Sequence, residues 1–468
     1  MTQSMEIDTG KLDRLFFSGI GGSGMSALAQ LLAGQGKKVS GSDRKNDRGE
    51  SATLFAALNR QGIELFPQDG SGVRPGLDAV VVSTAVESDV PDYRRAGELG
   101  IPIIARPQLL AALVNSRRGF CVAGTSGKST VTALTAYVMA GAGLAPNFIG
   151  GAAVANWTDR PGTGNALGGK SGIYVVEACE SDGSITGYRP AVGAILNIQR
   201  DHHELESLLP MFERFAGSCR EQLIVNADCP NLARLHLTGL QARIVRFSTQ
   251  DRTAALAAEK IELEPLSSRF SVAGVSFACP LPGLYNVQNA LAALALCEAA
   301  GVSRADFARI LPSFKGVARR FQVVGKKRGV TVVDDFAHNP AKLAAVIGAL
   351  NHWKGLRRKI VVFQPHGFGP AKFMRAELAE TLAGCLGPQD LVILPEIYYA
   401  GGTASKDISS RDIVEDIKSR GVSAVYFERR AEAVGFIAGE AGRGDVVLVA
   451  GARDDSLTDF CREVLAAL

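Results

Sequence analysis

Residues 124–130 read Gly-Thr-Ser-Gly-Lys-Ser-Thr, between an apolar run at 119–123 and a helical pattern at 131–139. This order predicts a strand, a glycine-rich turn and the N-terminus of a helix. Backbone N–H groups in such a turn face an anion, the helix dipole favours negative charge, and Lys128 adds a point charge. The hydroxyl of Ser129 suits Mg²⁺ beside phosphates. The segment is a shortened P-loop, so we expect the chain to bind ATP. The ATP-binding residues of this turn are Gly124, Thr125, Ser126, Gly127, Lys128, Ser129 and Thr130.

A second glycine turn lies near the start of the chain, after the apolar residues 15–17. Residues 19–24 read Gly-Ile-Gly-Gly-Ser-Gly and fit G-x-G-x-x-G. Asp43 follows the next strand pattern, where a Rossmann unit places its ribose-binding acid. The obvious ligand is NAD, but any diphosphate can occupy such a turn. Two turns therefore predict two phosphate-bearing ligands, for example a nucleotide-linked substrate on the first domain and ATP on the second.

The bulk composition is that of a large enzyme of the cytoplasm. A chain of 468 residues is too long for one core and should hold two or three domains. The net charge of +4, without a basic tract, argues against a nucleic-acid partner. Eight cysteines without a C-x-x-C pair indicate reduced thiols. The polar N-terminus and the lack of a bilayer-length apolar run predict no membrane partner and a cytoplasmic location. The oligomeric state stays open.

Strand and helix patterns alternate along the chain, which predicts an α/β architecture with three domains. We expect a Rossmann-like domain at 1–116, a central P-loop domain at 117–316 and a Rossmann-like C-terminal domain at 317–468. Residues 240–280 are expected to form shorter antiparallel strands. Several strands of the third domain end in polar or glycine-rich loops, where ligands of open α/β sheets bind.

Acidic and imidazole groups follow the strands of the central domain. Glu177 ends a buried strand and His202 follows another, so with Ser129 they could hold Mg²⁺ near ATP. The alternative for Glu177 is a carboxylate that pairs with a helix N-terminus, and His202 could be structural. Glu180 and Asp182 add acids to the same strand end, either as outer groups or as a solvated loop and helix cap.

Polar residues also mark the passage from the central to the third domain. Asn286 and Asn289 open a helix, where their amides could bond a nucleobase or cap the helix. Arg320 follows Arg319 at the expected hinge. It could move onto a phosphate when domains close, or belong to an exposed basic pair.

The order of these motifs resembles the Mur ligases, the ATP-dependent amide-forming enzymes of bacterial peptidoglycan synthesis. Within them the likeness is greatest to members that join L-alanine to UDP-N-acetylmuramate, and it covers nearly the whole chain. The segments that carry it are 19–26 with 41–43, 124–130, 177–182, Asn197 with 201–202, Asn286 and Asn289, 319–321, 334–338 and 363–366. It implies three domains: the first for the UDP part of the substrate, the second for ATP and Mg²⁺, and a third that closes over the site with the amino-acid pocket.

The resemblance also implies roles for single residues. Lys128, Glu177, His202 and Arg320 would be catalytic, with Ser129, Glu177 and His202 as metal ligands. Asn286, Asn289, Arg320 and Asp335 would complete the ATP site. UDP-sugar binding would fall to Gly21, Gly22, Ser23, Gly24, Met25, Asp43, Ser83 and Thr84. The amino-acid pocket would contain His338, His366 and Lys372.

Some positions depart from the family pattern and keep other readings open. Ser126 stands where these ligases usually have His. The stretch 367–372, expected as a loop, lacks their carboxylate-binding arginines and leaves Lys372 as a point charge. The amine could then be a murein tripeptide or a different amino acid. An NAD-dependent dehydrogenase leaves the P-loop unexplained. A P-loop motor or kinase would ignore UDP-sugars, and a non-catalytic paralogue conflicts with the presence of Lys128, Glu177 and His202.

Overall fold

The computed structural model describes residues 7–83, 89–159, 162–200, 204–399 and 405–468. The chain divides into two compact units, each described here by itself. The first unit runs to Glu259 and adds Ser271–Phe277 and Gln288–Val317, and the second holds Lys260–Phe270, Ala278–Val287 and Ala318–Leu468. In the described ranges no helix is both long and apolar enough to cross a membrane.

The first sheet of the first unit is parallel, with strand order β3-β2-β1-β4-β5. Its strands are β1 Arg14–Ser18, β2 Lys38–Ser42, β3 Glu64–Phe66, β4 Ala79–Val82 and β5 Ile103–Ala105. Its helices are α1 Ser23–Gly34, α2 Arg44–Asp47, α3 Ala52–Arg60, α4 Pro91–Glu98 and α5 Arg106–Asn115. Strand order reverses between β1 and β4, so the glycine turn after β1 lies at the switch point where open α/β sheets bind ligands.

The second sheet of this unit has strand order β13-β12-β11-β10-β6-β9-β7-β8. Its strands are β6 Arg118–Ala123, β7 Asn147–Ile149, β8 Ala166–Leu167, β9 Ile173–Ala178, β10 Val192–Ile195, β11 Gln222–Asn226, β12 Arg243–Ser248 and β13 Leu256–Ala257. Helix α6 spans Lys128–Gly141 and α7 spans Leu205–Ser218. The P-loop follows the central strand β6, and Glu177 lies near the end of the adjacent β9. Both therefore stand at the carboxyl edge.

The expectation of antiparallel strands at 240–280 is wrong for the first part of that range. Strand β12 pairs parallel to β11, and β13 pairs parallel to β12, so both extend the P-loop sheet. In β12, Arg243 and Arg246 are exposed while Val245 and Phe247 are buried, and the strand lies next to the edge strand β13 of that sheet.

A small sheet and two helices follow. The sheet has strand order β14-β15-β16, with β14 Glu259–Leu263, β15 Ser268–Val272 and β16 Val275–Cys279. The helices are α8 Leu284–Ala299 and α9 Arg304–Ile310. Short 3₁₀ helices of the chain span Ala155–Trp157, Ser184–Gly187, Pro230–Arg234 and Leu311–Ser313.

The sheet of the second unit has strand order β17-β18-β22-β19-β20-β21 and is parallel except for the edge strand β17. Its strands are β17 Gln322–Lys327, β18 Val330–Asp335, β19 Lys359–Gln364, β20 Leu391–Pro395, β21 Ser423–Phe427 and β22 Val446–Gly451. Its helices are α10 Pro340–Leu350, α11 Phe368–Cys385, α12 Ser410–Lys418, α13 Arg430–Glu440 and α14 Leu457–Ala467.

The two large sheets of the first unit share a hydrophobic core. One cluster of buried apolar side chains includes Leu28 of α1 and Ile149 of β7. Polar contacts join the same regions, since the Asn165 side chain donates to the carbonyl of Ser23 over 3.1 Å. The two glycine turns thus belong to one packed body.

All eight cysteines are free thiols, five of them buried, as expected for reduced residues.

Candidate functional site: two glycine turns in one unit

The P-loop needs glycine at two positions for steric reasons. Gly124 has φ of 140° and Gly127 has φ of 87°, conformations that side chains other than hydrogen rarely adopt. A Cβ at Gly127 would also lie 2.5 Å from Oδ1 of Asn289. Helix α6 begins at the next residue, Lys128, so its N-terminal N–H groups face the turn. The close approach of Asn289 brings this predicted nucleotide-binding residue to the P-loop.

The amide of Asn197 fixes the P-loop from the end of β10. Its Oδ1 accepts from the Ser126 N–H over 2.8 Å, and its Nδ2 donates to the Ser126 carbonyl over 3.1 Å. Thr125 is held in the same way, because its hydroxyl accepts from the Gln199 N–H. The Ser126 hydroxyl itself is buried and has no hydrogen-bond partner among the described residues. A phosphate oxygen in the turn would satisfy that orphaned group.

Lys128 is held by an acid in a nearly dry environment. Its Nζ lies 2.8 Å from Oε2 of Glu180, and the two side chains are 13% and 6% exposed. It also donates to the carbonyl of Gly124 over 2.5 Å. Burial lowers the pKa of Lys128 and the Glu180 carboxylate raises it, with a net upward direction. The ammonium group is therefore charged at neutral pH and fixed at the phosphate turn.

Glu177 and Ser129 present oxygen atoms at the same edge. The Ser129 hydroxyl donates to Oε2 of Glu177 over 3.2 Å, and Oε1 accepts from the Gly151 N–H over 2.5 Å. Such an oxygen pair fits Mg²⁺, which takes few protein ligands and completes its shell with phosphates and water. Among the described residues no group of three or more His, Cys, Asp or Glu side chains is placed to hold a metal. The oxygens of Ser129 and Glu177 therefore suit a Mg²⁺ ion whose other ligands come from a nucleotide. They do not suit a cation that is held by protein ligands alone.

The first glycine turn is closed by Asp43. Oδ2 of this carboxylate accepts from the Gly21 N–H over 2.8 Å, and Oδ1 accepts from the Lys45 N–H as the cap of α2. A Cβ at Gly21 would lie 2.8 Å from Oδ2 of Asp43. The Gly19 N–H donates to the carbonyl of Ser42. Asp43 thus shapes the turn, in addition to any contact with a ribose.

The other predicted sugar-nucleotide residues lie around this turn. Gly22 is the N-cap of α1 without a side-chain cap, Ser23 and Gly24 form the first turn of the helix, and Met25 is buried. Ser83 follows β4 at the adjacent strand end. Thr84 and His202 lie outside the described residues, so their predicted roles stay predictions.

Asn286, Arg320 and Asp335 belong to the second unit. The Asn286 amide donates to the carbonyl of Pro282 over 2.8 Å within the start of α8. The Arg320 guanidinium lies 4.4 Å from the ring centre of Phe336. The Asp335 carboxylate accepts from the N–H groups of Phe321 and Ala337, and burial raises its pKa. The contacts of Arg320 and Asp335 order the segment between β18 and α10.

The two histidines of the predicted amino-acid pocket are neighbours, with ring centres 5.5 Å apart. Nδ1 of His338 lies 2.9 Å from the Phe336 carbonyl, and Nε2 lies 3.1 Å from Nζ of Lys342. A carbonyl only accepts and an ammonium only donates. The contact with the Phe336 carbonyl therefore fits a ring that carries a proton on Nδ1.

Lys372 occupies a different setting from the one expected. The stretch 367–372, expected as a loop, is mostly the start of α11, because Gly367 is the N-cap and the helix begins at Phe368. Lys372 lies in the first turns of that helix and forms an exposed ion pair with Asp407. Pro370 is compatible with this place, since a helix start needs no N–H donor there.

Sequence reasoning missed Arg106. It is the first residue of α5, directly after β5, and its Nη2 lies 3.5 Å from Oδ2 of Asp182. Asp182 comes from the segment after β9 that also carries Glu177 and Glu180. The sign in the sequence was a basic residue directly after a strand at the carboxyl edge of the first sheet.

Comparison with protein families gives three matches in chain order. Residues 15–118 match the Mur ligase family catalytic domain, 122–297 match the Mur ligase middle domain, and 319–453 match the Mur ligase glutamate ligase domain. These ranges cover well over half of the chain and contain both glycine turns.

Individual relatives agree with the family match. The UDP-N-acetylmuramate–L-alanine ligase of Streptomyces avermitilis is 35% identical over 460 residues, 95% of each chain. The protein of the same name from Caldanaerobacter subterraneus is 33% identical over 460 residues, 96% of each chain. Among solved structures, UDP-N-acetylmuramate–alanine ligase from Thermotoga maritima has a TM-score of 0.77 and 25% identity, covering 97% of this chain and 98% of its own. A murein peptide ligase from Psychrobacter arcticus shares the fold, with a TM-score of 0.67, 22% identity and coverage of 97% and 98%.

Proposed function

The chain belongs to the Mur ligase family, and on that premise we propose that it joins L-alanine to the lactyl carboxylate of UDP-N-acetylmuramate. It is an ATP-dependent carbon–nitrogen ligase of peptidoglycan biosynthesis that releases ADP and phosphate. The observation that carries the proposal is the P-loop, where Lys128 pairs with Glu180 and Ser129 contacts Glu177, in the same unit as a second glycine turn. Relatives named UDP-N-acetylmuramate–L-alanine ligase match nearly the whole chain, which supports the choice of substrates.

The first step is phosphoryl transfer. The lactyl carboxylate attacks the γ-phosphorus of ATP, the bond to the β-phosphate oxygen breaks, and ADP leaves an acyl phosphate behind. Such a step needs positioning and charge neutralisation more than covalent help from the protein. Lys128 supplies a fixed positive charge, and the N-terminus of α6 supplies aligned N–H donors.

Ser129 and Glu177 would hold Mg²⁺ through their oxygens. When bound, the cation neutralises charge on the β- and γ-phosphates. Glu180 holds Lys128, and Asn197 keeps the turn in shape for the nucleotide. His202 is proposed as a further metal ligand on the family likeness alone.

The second step forms the amide. The free amine of the amino acid attacks the acyl carbon, the carbon–oxygen bond to phosphate breaks, and the nitrogen loses a proton. His338 and His366 are proposed to border the amine site, since their rings are neighbours after the ends of β18 and β19. Asn286, Asn289, Arg320 and Asp335 are proposed for the nucleotide.

The experiment is a phosphate-release assay with ATP, Mg²⁺ and UDP-N-acetylmuramate, run against single amino acids and murein tripeptide. We expect release with L-alanine, with glycine or serine as weaker substrates. Release only with the tripeptide would keep the ligase chemistry and change the amine, as the start of α11 without arginines allows. No release with any amine would contradict the proposal.

A further inference from the structure

We propose that Arg106 binds the diphosphate of the sugar nucleotide at the first glycine turn, with Asp182 as the residue that positions its guanidinium group. The inference rests on the proposed function, because it takes the sugar nucleotide as the ligand of that turn. It adds a cation that the glycine motif itself lacks, from an element far away in the sequence.

The first observation is the place of Arg106 in the fold. It is residue N1 of α5 and follows β5 directly, so it stands at the carboxyl edge of the first sheet. The N-terminus of the 12-residue helix α1 opens at the same edge, without a side-chain cap and without an acid in its first turn. Ligands of open α/β sheets bind at this edge, and helix N-termini favour phosphate.

The second observation is a contact between Arg106 and the first turn of α1. A Cβ built on Gly24 would lie 3.2 Å from Nη1 and 3.3 Å from Cζ of Arg106. The guanidinium group therefore packs directly on the backbone of Gly24. Glycine at this position leaves the space that the group fills, beside the N–H groups that would face the phosphates.

The third observation is the partner that orients the guanidinium group. Nη2 of Arg106 lies 3.5 Å from Oδ2 of Asp182, and the two side chains are 22% and 26% exposed. Oδ1 of Asp182 accepts from the Ser184 N–H, which fixes the carboxylate. Arginine has five N–H donors in a planar fork that matches phosphate oxygens. One edge of the fork is thus held, and the group remains accessible to an anion.

The position of Asp182 also connects this contact with the P-loop. The segment 177–182 after β9 carries three acids: Glu177 reaches Ser129, Glu180 reaches Lys128, and Asp182 reaches Arg106. One segment of six residues therefore contacts groups at both turns. Placing the diphosphate with Arg106 would orient the rest of the substrate relative to the P-loop by way of this segment.

The test measures binding of UDP, UDP-N-acetylglucosamine and UDP-N-acetylmuramate to the full chain by calorimetry. We expect Arg106→Ala to weaken all three by about tenfold to a hundredfold, the usual range for hydrogen bonds to charged groups. Arg106→Lys keeps the charge without the fork and should fall between. Asp182→Asn should raise the KM for the sugar nucleotide by about fivefold or less and leave kcat unchanged.

Arg118→Ala is the matched control, because Arg118 also pairs with an acid, Glu221, but at the amino end of β6. It should bind UDP as the wild type does. Unchanged UDP binding by Arg106→Ala or Arg106→Lys, with normal thermal unfolding, would overturn the inference. A loss confined to UDP-N-acetylmuramate would overturn the diphosphate assignment, since only that ligand carries the lactyl carboxylate. Wild-type protein that binds UDP but ligates no amine would contradict the proposed function instead.

Discussion

The two glycine turns of the first unit share a scaffold and differ in the charges around them. Each follows a central parallel strand and precedes a helix N-terminus at a carboxyl edge. The P-loop carries Lys128 on its own helix, with Glu177 and Glu180 from the neighbouring strand end. The first turn carries no lysine, and the acid nearest to it, Asp43, closes onto Gly21.

On the proposed function, the charged P-loop serves the chemical step and the first turn serves substrate binding. On the proposed function, the Lys128 ammonium, with Mg²⁺ on the oxygens of Ser129 and Glu177, would stabilise charge that moves during phosphoryl transfer. A turn of backbone N–H groups can hold a diphosphate that does not react. Substitutions at the P-loop should therefore lower kcat, and substitutions at the first turn should weaken sugar-nucleotide binding.

The largest effect is expected from Lys128→Ala. Loss of the buried ammonium should lower kcat about a thousandfold, the upper range for one preorganised charge-stabilising group. Binding of UDP-N-acetylmuramate, measured by calorimetry, should not change. Lys170→Ala removes an exposed lysine of the same unit and should leave both quantities as in the wild type. A kcat within tenfold of wild type for Lys128→Ala would contradict a role of the P-loop in the chemical step.

Glu177→Gln should change the response to Mg²⁺. The substitution keeps the size of the side chain and removes its charge, so the Mg²⁺ concentration for half-maximal rate should rise about tenfold or more. Titration of activity with MgCl₂ at saturating ATP measures this. Glu221→Gln, which alters an exposed glutamate paired with Arg118, serves as the control. An unchanged Mg²⁺ titration for Glu177→Gln would remove Glu177 from the metal site.

Gly21→Ala should affect the first turn alone. The new Cβ would meet Oδ2 of Asp43 at 2.8 Å and disturb the hydrogen bond that closes the turn. Sugar-nucleotide binding should weaken about fivefold to tenfold, the size of one lost hydrogen bond. Binding of an ATP analogue should stay the same. Gly34→Ala, where the nearest atom is 3.9 Å away, should bind both ligands normally. Equal losses for ATP and sugar nucleotide would show that the turns are not separate.

The smallest effect is expected from Asp92→Asn in α4, whose side chain contacts the ends of β1 and β2. The Asp92 carboxylate is fully buried and accepts from the Ser18 and Ser42 hydroxyls and the Gly70 N–H. Burial raises its pKa, so the folded state takes up a proton more readily than the unfolded chain. The free energy of unfolding of the wild type relative to Asp92→Asn should rise as pH falls through the raised pKa.

Urea unfolding of both proteins at neutral and mildly acidic pH measures this difference. The advantage of the wild type in the free energy of unfolding should be larger at mildly acidic pH than at neutral pH, because burial raises the pKa of Asp92 in the folded state. A wild-type advantage that shrinks as the pH falls would contradict the assignment of a raised pKa to Asp92.

The sequence predicted most of the architecture because its strands are nearly continuous apolar runs. The central strands of the second unit, such as β19 and β22, consist largely of apolar residues. Such runs are typical of parallel strands buried on both faces. The parallel pairing of β12 with β11 was not predicted, because the six residues of β12 do not show which neighbouring strand they join. The glycines and proline at 367–370 suggested a loop where the structure has a helix start.

The candidate site was predictable where one segment contains the chemistry. The predicted P-loop residues and Glu177 are neighbours in the structure, since Ser129 contacts Glu177 and Lys128 contacts Glu180, while their roles stay predictions. Arg106 was missed because its contacts, Gly24 and Asp182, lie about 80 residues away on either side in the sequence. Spacing in a single sequence carries no information about such a contact, which depends on packing between the two sheets.

Formation of an acyl phosphate on the lactyl carboxylate can be tested with UDP-N-acetylmuramate that carries ¹⁸O in both oxygens of that carboxylate. Mass spectrometry of a reaction with ATP and L-alanine would follow the label into each product. We expect one ¹⁸O in the released phosphate and one in the new amide. The carboxylate oxygen that bonds to phosphorus leaves with the phosphate when the carbon–oxygen bond of the acyl phosphate breaks. Phosphate without ¹⁸O, or a sugar nucleotide that keeps both labels and gains no alanine, would contradict it.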